Sequence, residues 1–417
     1  MNRKKIFCLI IAVLITFNLI GCKSTNTLSN YSDDLETSTI IDVIEENGDT
    51  VVNNSVNADN VQINSSNQDN PTATFDKLKT VEVQCVKDIP NYSAEYEVKS
   101  VMTDKGIDVL SVSEISCGVS GVTVNKNIIT VPFNIRKSNN SISLTVTHIA
   151  SGKKLDFSIN FNKWNLIFED NFNGNNLDTS KWSYCPSYPR DKGYANIWND
   201  EMSFVKDGYL VSRVFNTGEQ DTSGRTWTKL ANPNDKTLYK SGAVWSKDLF
   251  ENDYGYYEIS ARPHLTTGMW GAFWVIAGDM DSDNPVDDNS AVNGAEIDIF
   301  ESLKNLGTNH TVHWDGWSGV GNSMKHMGYQ TKINVFDGKF HTFALRWTPD
   351  EYLFIIDGQI VQRTEGYLAG GICTAKGYLN ITSECGTWGG SLTLKNGEYS
   401  DMLVDYVKVY TTPSDKQ

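Results

Sequence analysis

"GAEIDIFES", residues 294–302, sets three carboxylates, Glu296, Asp298 and Glu301, close together with no basic residue between them. In a strand, residues two apart share a face. Ile297 and Ile299 then belong to a core face, and Glu296 and Asp298 to the opposite one. Strict alternation sends Glu301 inside with the isoleucines, an expensive place for a carboxylate. One extra residue at Ile299–Phe300, a β-bulge, returns Glu301 to the acidic face. The stretch reads as a bulged strand, apolar on one side, with three acids in a row on the other.

The surrounding sequence has the same character. "GYLVSRVF", "YGYYEISARP", "GMWGAFWVIAG", "HTFALRWT", "EYLFIIDGQIV" and "MLVDYVKVY" are strand candidates, and long helical periodicity is nearly absent. A long run of antiparallel strands without helices predicts an all-β fold with two large stacked sheets, a jelly roll, over residues 162–412. All 11 Trp lie between Trp164 and Trp388. A buried indole N–H needs a partner, so several of these are expected on an open surface. Upstream, residues 76–161 alternate in shorter runs such as "VEVQCV", "AEYEVKSVM", "ITVPFNIR", "SISLTVTHI" and "LDFSINF". They predict a small immunoglobulin-like β-sandwich. With no Trp to stack on a sugar, that module is read as a spacer. Residues 23–75, rich in Asn, Ser, Thr and Asp, cannot bury enough apolar surface to offset their ordering entropy and are expected to be a disordered tether.

At the start of the chain, Arg3, Lys4 and Lys5 precede an apolar run from Ile6 to Ile20, the layout of an export signal. The run is shorter than a spanning helix needs. It ends in Leu19-Ile20-Gly21-Cys22, similar to a bacterial lipoprotein box, so residues 1–22 are expected to be a lipoprotein signal peptide with Cys22 the lipidated residue. An uncleaved anchor and an ordinary signal are the alternatives; all three export the protein. The expected location is the extracellular face of the cell membrane, lipid-anchored. The formal charge of −15 and the absence of any Lys/Arg run argue against nucleic acid as a partner. Cys85 and Cys117 could pair within the small module, leaving Cys185, Cys373 and Cys385 as an odd set with no zinc-type spacing.

The acidic row suggests its own chemistry. With the bulge, Glu296 and Glu301 stand on the order of 13 Å apart at Cα. Side chains leaning together shorten this to about the 5–5.5 Å between the carboxyls of retaining glycosidases. Three like charges this close cannot all ionise cheaply, which favours one raised pKa, as a general acid requires. A solvated edge strand or a hard-cation site would use the same residues. The aromatic context favours a sugar: Trp270, Ala272 and Trp274 share a face of a neighbouring strand, and "HWDGW" adds His313, Trp314 and Trp317. Trp347 is expected in the core, and His341 is expected to be a structural, hydrogen-bonded histidine.

At these residues the chain resembles glycoside hydrolase family 16, over residues 164–411. "EIDIFE" is similar to the family's E-x-D-x-x-E signature in its bulged, laminarinase-like form, and "GMWGAFW" to its Gly-x-Trp-Pro-Ala-Phe-Trp segment, with Gly271 in place of proline. "FEDNFNGNNLDTSKW" and "MLVDYVKVY" resemble its first and last strands. The resemblance implies retaining hydrolysis of internal β-linkages in a polysaccharide, with Glu296 the nucleophile, Asp298 its assisting acid and Glu301 the general acid/base. Trp270 and His313 would sit near the cleaved linkage. No cofactor is required. A structural calcium is common in the family; here Asp405 fits one ligand position, but Asn171 stands where a glutamate is usual. β-1,3-Glucan is the expected substrate, with an endo-β-galactosidase acting on galactan or mucin-type glycans as the alternative, and a non-catalytic carbohydrate-binding jelly roll as the reading outside enzymology. The expected partners are the polysaccharide and, through the lipid, the membrane.

Overall fold

The computed structural model describes the backbone of residues 41–46 and 49–54, and residues 74–187, 194–222, 236–283, 285–304, 306–317 and 324–412. The expected signal peptide and Cys22 lie outside the described residues. Within the segment read as a structureless tether, Ile41–Glu46 and Asp49–Asn54 pair antiparallel. Ile41, Val43, Val51 and Val52 supply the β-branched residues that strands favour.

Residues 78–160 form a small sandwich. A four-stranded sheet runs in the order Leu78–Lys87, Ala94–Thr103, Ile128–Val131, Thr123–Asn125, and a three-stranded sheet in the order Ser113–Cys117, Ser141–His148, Lys154–Asn160. Alternating residues such as Val81, Val98, Val146 and Phe157 fill the space between them. Two expectations fail here. "ITVPFNIR" is not one strand: it stops at Val131, and Phe133–Ser138 is a short helix entered at Pro132. Proline offers no N–H to extend a ladder, and its φ of −59° suits a helix start. Cys85, on Leu78–Lys87 of one sheet, and Cys117, on Ser113–Cys117 of the other, are both free thiols and form no disulfide.

The second module is an all-β jelly-roll sandwich. A ten-stranded back sheet includes Tyr209–Gln220, Tyr399–Thr411, Gly255–Arg262, His341–Trp347 and Glu351–Ile356 as consecutive neighbours. The eight-stranded front sheet orders Ser183–Tyr184, Ala243–Trp245, Gly377–Cys385, Met269–Gly278, Gly294–Leu303, Gly307–Trp314 and Lys325–Thr331. Their inner faces meet in one apolar core, where Phe300 of the front sheet stacks on Phe343 of the back sheet at 4.1 Å between centroids. Trp347 is fully buried, and its indole donates to the Cys373 carbonyl at 3.1 Å, so the core reading holds. His341 contacts Asp357 at 2.7 Å and Asp337 at 3.1 Å, as a structural histidine should.

The small sandwich is more than a spacer in its contacts. Its Ile89 and Tyr92 pack with Trp164 against Tyr256, Leu353, Ile355 and Tyr410 of the back sheet. Tyr92 and Thr342 share a hydrogen bond at 2.8 Å between hydroxyl oxygens. Gly358, at φ +75°, leaves the room for this ring: a Cβ there would come within 2.4 Å of it. The loop is held from below by buried Arg136, which pairs with Asp88 and donates to the carbonyls of Ile89 and Tyr92.

Candidate active site

The acidic strand, Gly294–Leu303, carries the expected irregularity at the expected place. Against the strand Met269–Gly278, Phe273 pairs with Phe300 and Trp274 with Asp298, so Ile299 is skipped. On the other side Thr311 faces Asp298 and Asn309 faces Glu301. Two residues, Ile299 and Phe300, therefore oppose His310 alone, which defines a bulge. Ile297, Ile299 and Phe300 are fully buried, while Glu296, Asp298 and Glu301 all line one cleft of about 1250 Å³.

His313, directly across from Glu296 on the next strand, lies among these acids. Its Nε2 is 3.3 Å from an Asp298 oxygen and 3.8 Å from one of Glu296. Burial pulls the imidazole down, but the hydrogen bond with Asp298 and the charges of Asp298 and Glu296 outweigh it and lift its pKa to about 9. It is therefore a cation at neutral pH, and it offsets part of the repulsion that crowding three carboxylates would otherwise create. The ligand atoms of Glu296, Asp298 and His313 lie within 4.8 Å of one another, a spacing that could also suit a metal ion. A protonated imidazole donates a hydrogen bond rather than ligating, so the residues fit an ion-paired triad better.

The aromatic residues divide. Trp274 lines the cleft, its indole donating to Thr382 at 3.2 Å. Trp317, more than a third exposed, donates to Glu296 and meets Trp274 edge to face at 6.4 Å. Trp270 is buried and lines a small recess beside the acids, with Tyr194 and Trp388 at 5.4 and 5.3 Å. Trp314 does not belong with them. Being next to His313 in a strand, it faces the other way, into the core. Gly271 has a packing reason: a Cβ there would fall 2.2 Å from the sulfur of Met402 on the back sheet, so the family's proline has no room.

Two features were not anticipated. Glu384 is a further carboxylate beside the row and is buried, accepting from Asn196 Nδ2 at 2.6 Å and Trp198 Nε1 at 2.9 Å, and it borders a recess shared with Glu301 and Trp270. The alternating Asn380, Thr382 and Glu384 in "LNITSEC" were a visible sign that this strand turns a polar face to the cleft. The acidic insertion "GDMDSDNPVDDNSAVNG" supplies Asp281, which pairs with Lys247 at 2.6 Å and accepts from Tyr378 at 2.8 Å. That trio, with Trp245 under the Lys247 ammonium at 5.3 Å, lines the same cleft.

Among the described residues no cluster of three His, Cys, Asp or Glu ligand atoms forms around Asp405. The nearby acid Glu169 is already paired with Lys408 at 3.3 Å. None of Cys185, Cys373 and Cys385 is in a disulfide, and all three are buried.

Residues 212–408 match the family model "Glycosyl hydrolases family 16". The chain is 27% identical over 208 residues to Glucan endo-1,3-beta-glucosidase A1 of Niallia circulans, a match covering 47% of this chain and 28% of that protein. It is 31% identical over 189 residues to a Beta-glucanase of Acetivibrio thermocellus, covering 45% and 47% respectively. The chain thus spans less than half the length of these curated relatives. A solved structure described with endo-acting O-glycanases that human gut bacteria express to initiate mucin breakdown is 25% identical, covers 61% of this chain and 93% of its own, and superposes with a TM-score of 0.49.

Proposed function

We propose that residues 162–412 are a family 16 glycoside hydrolase, a retaining, endo-acting enzyme that cuts internal β-linkages of a polysaccharide, β-1,3-glucan first. The observation that supports this most is the bulge, which sets Glu296, Asp298 and Glu301 in one row inside an aromatic-walled cleft. The family match over residues 212–408 and the glucanase names of the relatives agree with it.

In this reading Glu296 attacks the anomeric carbon while Glu301 gives its proton to the leaving glycosidic oxygen. The C–O bond breaks, the departing sugar leaves as an alcohol, and the other half remains as an ester on Glu296. Glu301, now ionised, takes a proton from water as that water attacks the same carbon and releases Glu296. Asp298 and protonated His313 hold the Glu296 side of the row: Asp298 fixes the imidazolium, whose charge favours the anionic nucleophile. Trp274 and Trp317 offer flat faces on which the C–H face of a pyranose stacks. Two carboxylates complete this chemistry without a cofactor.

An endo-β-galactosidase acting on galactan or mucin-type glycans is the second reading. It is favoured by the insertion that brings Asp281 to pair with Lys247 at the cleft wall. Cys22 is the lipidated residue of an exported lipoprotein, so the domains work outside the cell while tethered to its membrane. Substituting Cys22→Ala is expected to move the protein out of the membrane fraction, and unchanged fractionation would sink that assignment.

The functional test is a panel of laminarin, mixed-linkage glucan, agar and mucin-type glycans, read for product length and product anomer by NMR. Glu296→Gln and Glu301→Gln should each lower hydrolysis by at least about a thousandfold with the fold retained. Parental rates in either variant, or an inverted first-formed anomer, would refute the mechanism.

A further inference from the structure

The bulge that creates the acidic row needs its own support, because an extra residue interrupts the ladder on both sides. Ile299 has no partner in the register with Met269–Gly278 and none in the register with Gly307–Trp314. Its side chain is fully buried, so a backbone carbonyl left unsatisfied there would cost about 1–3 kcal/mol. His310 is the single residue facing Ile299 and Phe300. It is fully buried, and its Nδ1 lies 2.7 Å from the Ile299 carbonyl oxygen. Burial pushes this imidazole down to about 4 despite that bond, so it is neutral and carries one N–H. Only a proton on Nδ1 makes the contact a hydrogen bond; Nε2, buried without a partner, is the unprotonated nitrogen. The ring is braced against Phe354 of the back sheet at 5.2 Å.

We propose that His310 is a positioning residue for catalysis: by donating from Nδ1 to the Ile299 carbonyl it pins the bulge, and through the bulge it holds Glu301 on the cleft side opposite Glu296. It touches no substrate. Without the donor, the buried Ile299 carbonyl loses its hydrogen bond, the bulge loses its anchor, and Glu301 is no longer held in one position. Here His310 and His313 divide the labour along one strand, His310 facing inward to fix the backbone and His313 outward to meet the acids. The assignment rests on Glu296 and Glu301 being the hydrolytic pair, and its test keeps the two ideas apart.

The full chain is compared with His310→Leu, which fills the space without a donor, and with His310→Asn, whose amide nitrogen stands close to where Nδ1 was. For His310→Leu, kcat should fall about a hundredfold or more with KM little changed, since a misplacement of about 1 Å can cost that much. His310→Asn should recover most of the loss. Amide hydrogen exchange supplies a readout independent of activity: Phe300 and Glu301 should exchange faster in His310→Leu than in the parent, and slow again in His310→Asn. A folded His310→Leu protein with parental kcat, or unchanged protection at Phe300 and Glu301, would overturn the proposal. A parent that cleaves no glycan would instead overturn the hydrolase reading, while the exchange result still decides the role of His310 in the bulge.

Discussion

His313 should make the stability of this protein fall with rising pH across a defined window. The imidazole is lifted from its ordinary 6.5 to about 9 by Asp298 and Glu296 acting against burial, and its side chain is only 19% exposed. At about 1.36 kcal/mol per pH unit the rise is worth roughly 3 kcal/mol. The sign follows from proton counting. Between pH 6.5 and about 9 the folded state holds a proton on His313 that the unfolded state has released, so stability declines as pH rises. The stabilisation is complete below pH 6.5 and gone above the folded value. Urea unfolding of the parent and of His313→Gln from about pH 6 to about pH 10 isolates this group, because the other lysines, tyrosines and thiols titrate in both proteins and cancel in the difference. The parent should lead by roughly 3 kcal/mol at the acid end, and the two curves should converge at the alkaline end. A gap of constant size across the whole range would show that His313 is not the charged partner of Asp298.

Other expectations follow from particular contacts. Gly358→Ala places a methyl against the Tyr92 ring at a φ that favours glycine, and should cost about 1–3 kcal/mol in thermal or urea unfolding; a pairing with Tyr92→Ala that recovers none of it would show the two do not touch. Glu384→Ala strips the acceptor from Asn196 and the Trp198 indole, so it should destabilise the fold by about 1–3 kcal/mol and raise KM through the loosened aromatic wall. Unchanged KM would remove Glu384 from the substrate side of the cleft. The buried Cys185, Cys373 and Cys385 should resist a polar thiol reagent in native protein and react on unfolding; fast native labelling of all three would contradict their placement.

The acidic stretch shows how much a local pattern can carry. Period-two alternation places Ile297 and Ile299 together, and the cost of burying Glu301 demands an extra residue between Asp298 and Glu301; both arguments use only neighbours in the chain. The same alternation, applied to His313 and Trp314, would have separated them at once, yet composition drew both toward the cleft, and the structure sends Trp314 to the core. The short helix at Phe133–Ser138 was likewise signalled by Pro132, but the β-rich surroundings outweighed it.

Sequence by itself determined the all-β class, the bulged strand and its three acids, since each rests on the intrinsic geometry of a strand and on the energetics of charge in an apolar interior. Tertiary structure alone decided which groups surround those acids: His313 as a cation between two carboxylates, Glu384 behind Asn196 and Trp198, Asp281 on Lys247, and His310 beneath the bulge. It also decided that Tyr92 docks on the back sheet beside Gly358 and that Cys85 and Cys117 stay apart. The physical reason is range. A residue's face follows from its own strand, but its neighbours follow from which strands pair and in what register, and that is settled only when distant segments share one core.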